Sequence, residues 1–378
     1  MSDTGTATRR REGRPAYRPG TVVLRDAWYG VAHAAAVERG SPLGVMIDST
    51  PVVLWRDAND AITAMEDRCC HRRAPLSAGR VVDGVLQCAY HGWCYDAEGV
   101  VVTIPSLGPG VAPPARFSVP RYPVVIRYGI VWLWWGDPAT ADAALVPDIP
   151  FLESGRAAPA AGGFSYSAPQ ELVVENLLDL THLDFVHGAV FGDPFGGVEE
   201  ITVEHTDEVI VMRRVSRDRR PPKLLARVMG NPDRQDIAQT FYCHVRSGVA
   251  FGIAWNTPPG WGFCLAMCNT PETPTSTRTT SAIRVIGGPW AYRKIAPIIS
   301  MKLVARQDER IFRLQAPRYR GDEQRADKSV PADAAGMRYR ALRSTLADRQ
   351  RTGDFAYREG WDGLDPADAI LMDGRIPE

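Results

Sequence analysis

Short apolar runs separated by Gly, Pro, Asn and Asp fill the first third of the chain, from about residue 22 to residue 136. Runs such as PVVLWRDAND and YPVVIRYGIVWLWWGDP have the length of single strands and end in turn-forming residues. This spacing predicts an all-β region of short strands and tight turns. Residues 57–60 and 96–99 are expected hairpin turns. From residue 137 to about 161 the composition shifts to Ala and Pro, which indicates a connector.

The second half mixes two periods. The segment ELVVENLLDLTHLDFVH has a helical period, whereas ITVEHTDEVIVMRRV alternates like a pair of strands and WGFCLAMCNT has the pattern of a buried strand. A later helix is expected to start with Asp333 as its N-cap. Its predicted buried face consists of Met337, Ala341, Leu342, Thr345 and Leu346. The expected fold class is therefore α+β: an all-β domain followed by an antiparallel sheet with helices.

Length and charge narrow the possible classes of function. A chain of 378 residues suits two domains, and we expect a disordered tail over 1–18, a first domain over 19–140 and a second over 141–378. Lys plus Arg equals Asp plus Glu at 44 each, so no nucleic-acid partner is expected. No apolar stretch approaches the roughly 20 residues that cross a bilayer, and no apolar segment of an export signal follows the basic run RRREGR. We therefore expect no membrane association and a cytoplasmic protein.

The seven cysteines are expected to be reduced thiols, because no export signal is found. Cys70 and Cys94 are predicted to be unbridged. Cys264 and Cys268, four apart in an apolar strand pattern, are predicted core thiols.

The segment DRCCHRRAPLSAGRVVDGVLQCAYHGW places three cysteines, Cys70 among them, and two histidines in a pair of loops. Cys69 and His71 form C-x-H, sixteen residues follow, and Cys88 and His91 form C-x-x-H. Zinc fingers take their cysteines from one loop and their histidines from one helix, whereas each loop here offers one of each. Two Cys on one iron and two His on the other are the ligands of a Rieske [2Fe–2S] cluster. Trp93 follows the second loop and is expected to shield the cluster from water.

A second group of metal-ligand type lies in ENLLDLTHLDFVHG. His182 and His187 have the spacing H-x4-H, and a two-His-one-carboxylate iron site leaves coordination positions open for dioxygen. On a regular α-helix the two side chains would point about 140° apart, so a π-bulge or a helix end near Gly188 is required. Asp179 lies three residues before His182, and Asn176 three before that, on one helical stripe. Asp179 is expected to hydrogen-bond the ring N–H of His182.

Both segments resemble those of Rieske-type non-haem iron oxygenases, in the branch of vanillate and dicamba demethylase-like members. The first segment departs from the common pattern at Cys70 and Ala89, where Pro is usual. The second matches N-x-x-D-x-x-H-x4-H, and RQDERIFRLQ resembles the family's D-x-x-I-x-x-x-Q helix, which nominates Asp308 as the third iron ligand. Glu309 is the competitor, but on a helix its side chain points about 100° away.

The resemblance implies a Rieske domain with a [2Fe–2S] cluster and a helix-grip, START-like domain with a mononuclear Fe(II), in which Asp179 and Asn176 are candidate catalytic residues. It also implies O2 as co-substrate and a head-to-tail homotrimer, in which Asp179 bridges His182 to His91 of the neighbouring subunit. Electrons are expected from NAD(P)H through a separate ferredoxin or flavin reductase, because no G-x-G-x-x-G motif follows a strand.

The preferred reaction is monooxygenation, with hydroxylation or oxidative demethylation of an aromatic or partly apolar small molecule. A ring cis-dihydroxylating dioxygenase is the alternative within the same class. An electron-transfer Rieske protein with an inactive second domain is the alternative from another class.

Overall fold

The computed structural model describes residues 18–152, 160–188, 198–221, 232–258, 260–320 and 327–358. Of the predicted disordered tail, residues 1–17 lie outside the described residues. No helix in the described ranges is long and apolar enough to cross a membrane.

The first part of the chain folds into three small antiparallel sheets with the strand orders β1-β11-β10, β2-β3-β4-β9 and β5-β6-β7-β8. Their strands are β1 Ala27–His33, β2 Leu43–Ile47, β3 Thr50–Arg56, β4 Ile62–Glu66, β5 Arg80–Val82, β6 Val85–Gln87, β7 Cys94–Tyr95, β8 Val101–Thr103, β9 Arg121–Tyr122, β10 Val124–Arg127 and β11 Ile130–Trp135. The predicted hairpin turns are present, between β3 and β4 and between β7 and β8. Asp57 and Asp96 stabilise them, because each carboxylate accepts backbone N–H groups two and four residues later.

The second part is built on an antiparallel sheet that has seven strands in the described residues, in the order β12-β18-β17-β16-β15-β14-β13. Its strands are β12 Ala160–Tyr166, β13 Val198–His205, β14 Val209–Arg219, β15 Gln235–His244, β16 Val249–Thr257, β17 Trp261–Thr273 and β18 Ser276–Ile286. The α-helices within the described ranges are α1 Gln170–Leu178, α2 Leu183–Val186, α3 Trp290–Gln315 and α4 Ala334–Arg351. The long helix α3 packs against β12 and β18. The predicted α+β architecture, an all-β part followed by an antiparallel sheet with helices, is confirmed.

The two parts share a hydrophobic core. Trp28, Trp132 and Trp134 from β1 and β11 belong to the same buried cluster as residues of β15, β16 and β17. At Gly30, strand β1 lies so close to β17 that a Cβ added to the glycine would be 2.8 Å from Cys268 Sγ. The small sheets are therefore fixed against the large sheet by buried aromatic packing.

Helix α4 begins after Asp333, as predicted, but two details differ. The Asp333 carboxylate accepts the Val330 N–H and makes no capping bond to α4. The predicted apolar face is wrong in part, because Met337 and Thr345 are exposed. The buried residues of α4 are Ala335, Tyr339, Arg343, Leu346 and Ala347. Arg343 turns inward because its Nε donates to Glu171 of α1 over 3.0 Å, an ion-pair partner that a helical pattern does not reveal.

Candidate metal centres

The two loops predicted to hold a cluster have the same backbone conformation. In each, the cysteine carbonyl accepts the N–H four residues later, from Arg73 in the first loop at 2.8 Å and from Gly92 in the second at 3.1 Å. Both donors have left-handed backbones, with φ of 57° and 71° respectively. The repeated turn places Cys69 and Cys88, each 2% exposed, at the base of the two loops.

The histidines of the loops lie side by side. The rings of His71 and His91 are 4.6 Å apart between centroids, and His71 stacks on Trp93 at 4.5 Å with an interplanar angle of 2°. Trp93 is buried and covers one face of His71, which agrees with the predicted shielding. The Nδ1 atom of His71 is buried and has no hydrogen-bond partner in the described part of the chain. A buried imidazole nitrogen left without a partner, in loops that also hold two buried thiols, fits the donor set of a Rieske cluster.

Tyr95 of β7 was not singled out from the sequence, although it contacts the cysteine loop directly. Its hydroxyl lies 3.1 Å from Cys69 Sγ and 3.3 Å from Cys70 Sγ, and it accepts the Cys70 N–H over 3.1 Å. Burial and the two neighbouring thiols raise the pKa of Tyr95, so the hydroxyl keeps its proton. All seven cysteines are free thiols, and the predictions of unbridged Cys70 and Cys94 are confirmed.

The histidine-bearing segment is not one regular helix. Helix α1 ends at Leu178, Asp179 is extended with φ −106° and ψ 94°, one 3-10 turn covers Leu180–His182, and α2 ends before His187. The predicted helix end near Gly188 is therefore present, but the break at Asp179 was not predicted. The two interruptions bring the imidazole rings of His182 and His187 to 5.2 Å between centroids.

Asp308 of α3 completes a group of three possible ligands. Its Oδ1 lies 3.0 Å from His187 Nε2 and 3.7 Å from His182 Nε2, and the ligand atoms all lie within 4.8 Å of one another. Ligands that are each about 2.1 Å from one ion at right angles are about 3 Å apart, so the spacing fits a shared metal ion. Glu309 points elsewhere: its carboxylate accepts the N–H and hydroxyl of Ser167 and is paired with Arg313.

Hydrogen bonds hold both imidazoles with Nε2 directed to this group. The Nδ1–H of His187 donates to Gln307 Oε1 over 2.8 Å, and that of His182 donates to the backbone carbonyl of Asp179. Gln307 was missed from the sequence, although it directly precedes Asp308. Burial lowers the pKa of His182, which keeps the ring neutral and its Nε2 lone pair available. Burial acts in the same direction on His187, but the contact with Asp308 outweighs it and raises the pKa.

The expected role of the Asp179 side chain needs correction. Its Oδ1 accepts the N–H of Thr181 over 2.9 Å and the Thr181 hydroxyl over 2.5 Å, and only its backbone carbonyl contacts His182. Because Asp179 leaves the helix, the predicted stripe through Asn176, Asp179 and His182 does not form. Asn176 lies at the wall of the cavity beside the three ligands.

A cavity of about 210 Å³ adjoins His182, His187 and Asp308. Much of its wall is apolar and comes from α1, α3 and the inner face of the large sheet, with residues such as Leu177, Ile237, Phe263, Leu265, Ile283 and Val304. One part of the wall is polar and includes Arg214, Arg219, Gln235 and Gln239. A small molecule that is mostly apolar and has polar groups on one side would fit these surroundings.

Comparisons with known proteins agree with this geometry. The family model of the Rieske [2Fe-2S] domain matches residues 27–123, and that of the vanillate O-demethylase oxygenase C-terminal domain matches residues 166–349. The chain is 38% identical over 197 residues to the oxygenase component of dicamba O-demethylase from Stenotrophomonas maltophilia, which covers 51% of this chain and 56% of that protein. It is 35% identical over 174 residues to a vanillate O-demethylase oxygenase subunit of a Pseudomonas species, covering 46% of this chain and 49% of that protein.

A third relative is the toluene-4-sulfonate monooxygenase system iron-sulfur subunit TsaM1 of Comamonas testosteroni, which is 36% identical over 171 residues, 45% of this chain and 48% of that protein. The chain thus spans about half the length of the curated relatives it matches. A solved structure of dicamba monooxygenase bound to 3,6 dichlorosalicylic acid superimposes with a TM-score of 0.77 at 26% identity, covering 86% of this chain and 98% of that one. The two chains share one fold.

Proposed function

We propose that this chain, which joins a Rieske [2Fe-2S] domain to a vanillate O-demethylase oxygenase C-terminal domain, is the oxygenase component of a multicomponent monooxygenase. The observation that carries the proposal is the group His182, His187 and Asp308 beside a cavity, in a chain that also has the cysteine and histidine loops. A chain with the cluster alone would be an electron carrier, whereas a second metal site with two histidines and one carboxylate can receive the electron.

Each metal group has its own set of proposed ligands. The [2Fe–2S] cluster would be held by Cys69, His71, Cys88 and His91, and the mononuclear iron by His182, His187 and Asp308. When bound, the cluster supplies single electrons and the iron activates dioxygen.

The protein's own part is to orient ligands and enclose the site. Gln307 and the Asp179 carbonyl hold the Nδ1 protons of the two histidines, so both rings present Nε2 to one point. His187 is fully buried and Asp308 nearly so, which keeps water away from that side of the site. The cavity, to which both residues contribute, then places substrate next to the iron position.

The proposed substrate is an aromatic or partly apolar small molecule, and the proposed reaction is hydroxylation or oxidative demethylation. Dicamba O-demethylase and vanillate O-demethylase support demethylation as one outcome. Turnover under 18O2 distinguishes the reaction types: one labelled oxygen, in the hydroxylated product or in released formaldehyde, supports monooxygenation. Two labelled oxygens on adjacent ring carbons would favour the cis-dihydroxylating alternative instead.

We further propose that electrons come from NAD(P)H through a separate ferredoxin or flavin reductase, and that the protein works in the cytoplasm. Free thiols at all seven cysteines suit a reducing compartment.

A head-to-tail homotrimer, in which Asp179 links His182 to the partner subunit's His91, is the proposed assembly. His91 is exposed, and Asp179 Oδ2 accepts no hydrogen bond from any described residue, which is compatible with that link. Sedimentation analysis tests the trimer.

The decisive experiment is iron and acid-labile sulfide analysis of anaerobically purified protein, with an EPR spectrum after dithionite reduction. About three irons and two sulfides per chain with a Rieske signal would support both sites. About two irons, unchanged after Fe(II) and ascorbate are added, would replace the proposal with the electron-carrier alternative. The variant His187→Ala is the matched control, because it should lose one iron and keep the cluster signal.

A further inference from the structure

Two arginines lie buried in the wall of the cavity. Arg214 of β14 and Arg219 at the end of the same strand have side chains that are 4% and 2% exposed. Both contribute to the wall beside the proposed iron site, so an inference about what they bind rests on the proposed function. A buried guanidinium in a substrate cavity commonly indicates an acidic ligand, and here the surroundings argue against one.

Two carboxylates already match the charge of the arginines. Asp184 of α2 lies 3.4 Å from Arg214 Nη2 and 2.5 Å from Arg219 Nη2. Glu199 of β13 lies 3.1 Å from Arg219 Nη1 and also contacts Arg214. The remaining terminal nitrogen of Arg214 donates to the Leu180 carbonyl over 2.8 Å. Among the described residues that contact the two guanidinium groups, the two positive charges are therefore balanced by two negative ones, and the terminal guanidinium nitrogens are in use.

Although these charges are balanced, some polar atoms of the two arginines and of a neighbouring glutamine still have no hydrogen-bond partner among the described residues. The Nε atoms of Arg214 and Arg219 are buried and have no hydrogen-bond partner in the described ranges, and the same is true of Gln235 Oε1. Buried donors such as the two Nε–H groups, and a buried acceptor such as Gln235 Oε1, are costly unless a ligand or water satisfies them. An oxygen of an uncharged ligand can accept from such an N–H while both ion pairs stay intact.

We infer that the substrate is an uncharged molecule, apolar over most of its surface, that presents a carbonyl, amide or hydroxyl oxygen to the wall formed by Arg214, Arg219 and Gln235. A carboxylate or sulfonate would bring a third anion to two guanidinium groups. To pair with the arginines, this anion would have to displace Asp184 or Glu199. Asp184 is 8% exposed and cannot move into water. Displacing Asp184 would leave a buried carboxylate without its cationic partners, and displacing Glu199 would break its ion pairs with both arginines, so both costs oppose the binding of an acid.

Matched pairs of probes that differ only in charge test this inference by equilibrium dialysis at pH 7. The pairs are 4-methoxybenzamide with 4-methoxybenzoate and toluene-4-sulfonamide with toluene-4-sulfonate. We expect the neutral member of each pair to bind at least about tenfold more tightly, a difference of about 1.4 kcal/mol. The inference is overturned if the acid binds as tightly as its neutral partner in either pair, or if neither neutral probe binds.

Glu199 is the more accessible of the two carboxylates, with a side chain that is 31% exposed. The variant Glu199→Gln removes its negative charge. We expect it to shift the neutral-to-acid preference toward the acid by about tenfold. Glu204→Gln is the matched control, because Glu204 lies on the same strand but pairs at the surface with Arg213 and its side chain is 72% exposed. Equal preferences in the two variants would contradict the inference.

This experiment separates the inference from the proposed function. Dialysis measures binding without turnover, so a preference for acids would overturn the neutral-substrate argument and leave the oxygenase proposal standing. Failure of the oxygenase proposal would instead appear in the iron analysis, as a chain with about two irons.

Discussion

The Tyr95 hydroxyl is predicted to raise the reduction potential of the cluster that Cys69 helps to hold. The hydroxyl lies 3.1 Å from Cys69 Sγ. A coordinating thiolate has no proton, so in the loaded protein Tyr95 must be the donor. A donor at the sulfur stabilises the reduced cluster more than the oxidised one, because the reduced cluster has the greater negative charge. Tyr95→Phe keeps the buried ring and removes this donor, together with the acceptor of the Cys70 N–H, so the potential should fall.

The size of the shift follows from the hydrogen bond. A hydrogen bond to a charged group contributes about 1.5–3 kcal/mol, and only the difference between the two redox states, about 1 kcal/mol, enters the potential. A tenfold change in equilibrium corresponds to about 1.4 kcal/mol and to about 59 mV for one electron, so Tyr95→Phe should lower the potential by about 40 mV. Cys70 Sγ lies 3.3 Å from the same hydroxyl, and because the hydroxyl proton is directed to Cys69, the Cys70 thiol can only donate its S–H to the tyrosine oxygen. Cys70→Ala should therefore lower the potential, by less than the tyrosine variant does, because the tyrosine oxygen loses a donor that strengthens its own hydrogen bond.

A redox titration followed by EPR or circular dichroism measures both shifts. Tyr122→Phe is the matched control, because Tyr122 belongs to β9 and packs near Trp135, outside the cluster loops. The reasoning is refuted if Tyr95→Phe and Tyr122→Phe have the same potential. It is also refuted if Cys70→Ala shifts the potential of the Tyr95→Phe background, since the cysteine is argued to act only through the hydroxyl.

Three other changes have expected results. Asp308→Asn should lower the iron content from about three to about two per chain, whereas Glu309→Gln should retain it; equal losses would contradict the ligand assignment. Burial lowers the pKa of His244 to about 4 from 6.5, so the unfolded state binds a proton first as the pH falls. Stability should drop by up to about 3 kcal/mol between about pH 6.5 and pH 4, and His244→Gln should flatten this drop in urea titrations at several pH values. Gly30→Ala places a Cβ 2.7 Å from the Cys268 side chain, so unfolding by heat should show a loss of about 1–3 kcal/mol.

The proposed cysteine and histidine ligands could be identified from the sequence because their chemistry is encoded in short spacings. C-x-H followed by C-x-x-H identifies two loops that offer mixed donors, and the two loops prove to share one backbone turn. Asp308 is nominated by the resemblance of RQDERIFRLQ to the family's helix, and Glu309 points about 100° away from it on a helix. Of these two residues, the structure brings Asp308 to the histidines.

The residues that contact and orient the proposed ligands could not be predicted from the sequence, because they come from distant parts of the chain. Gln307 contacts a histidine 120 positions earlier, and Tyr95 contacts a cysteine 26 positions earlier. Periodicity reports which way a side chain faces within its own element, and it contains no information on which element lies opposite. Arg214 shows the same limit: an alternating strand pattern places it inward, but its two carboxylate partners lie 30 and 15 residues away.

Asp179 shows how one residue type can support two different predictions. Its spacing from His182 on a regular helix predicts a side-chain hydrogen bond to the ring, yet histidines five residues apart cannot face one site unless that helix is interrupted. Aspartate is also among the residues that favour helix N-caps, where the carboxylate accepts backbone N–H groups of the next turn. In the structure this second property prevails, since Asp179 caps the turn that contains Thr181. The cap redirects the chain so that His182 and His187 converge, and the freed carbonyl of Asp179 then orients the His182 ring. Asp179 therefore supports the site through its backbone and its cap.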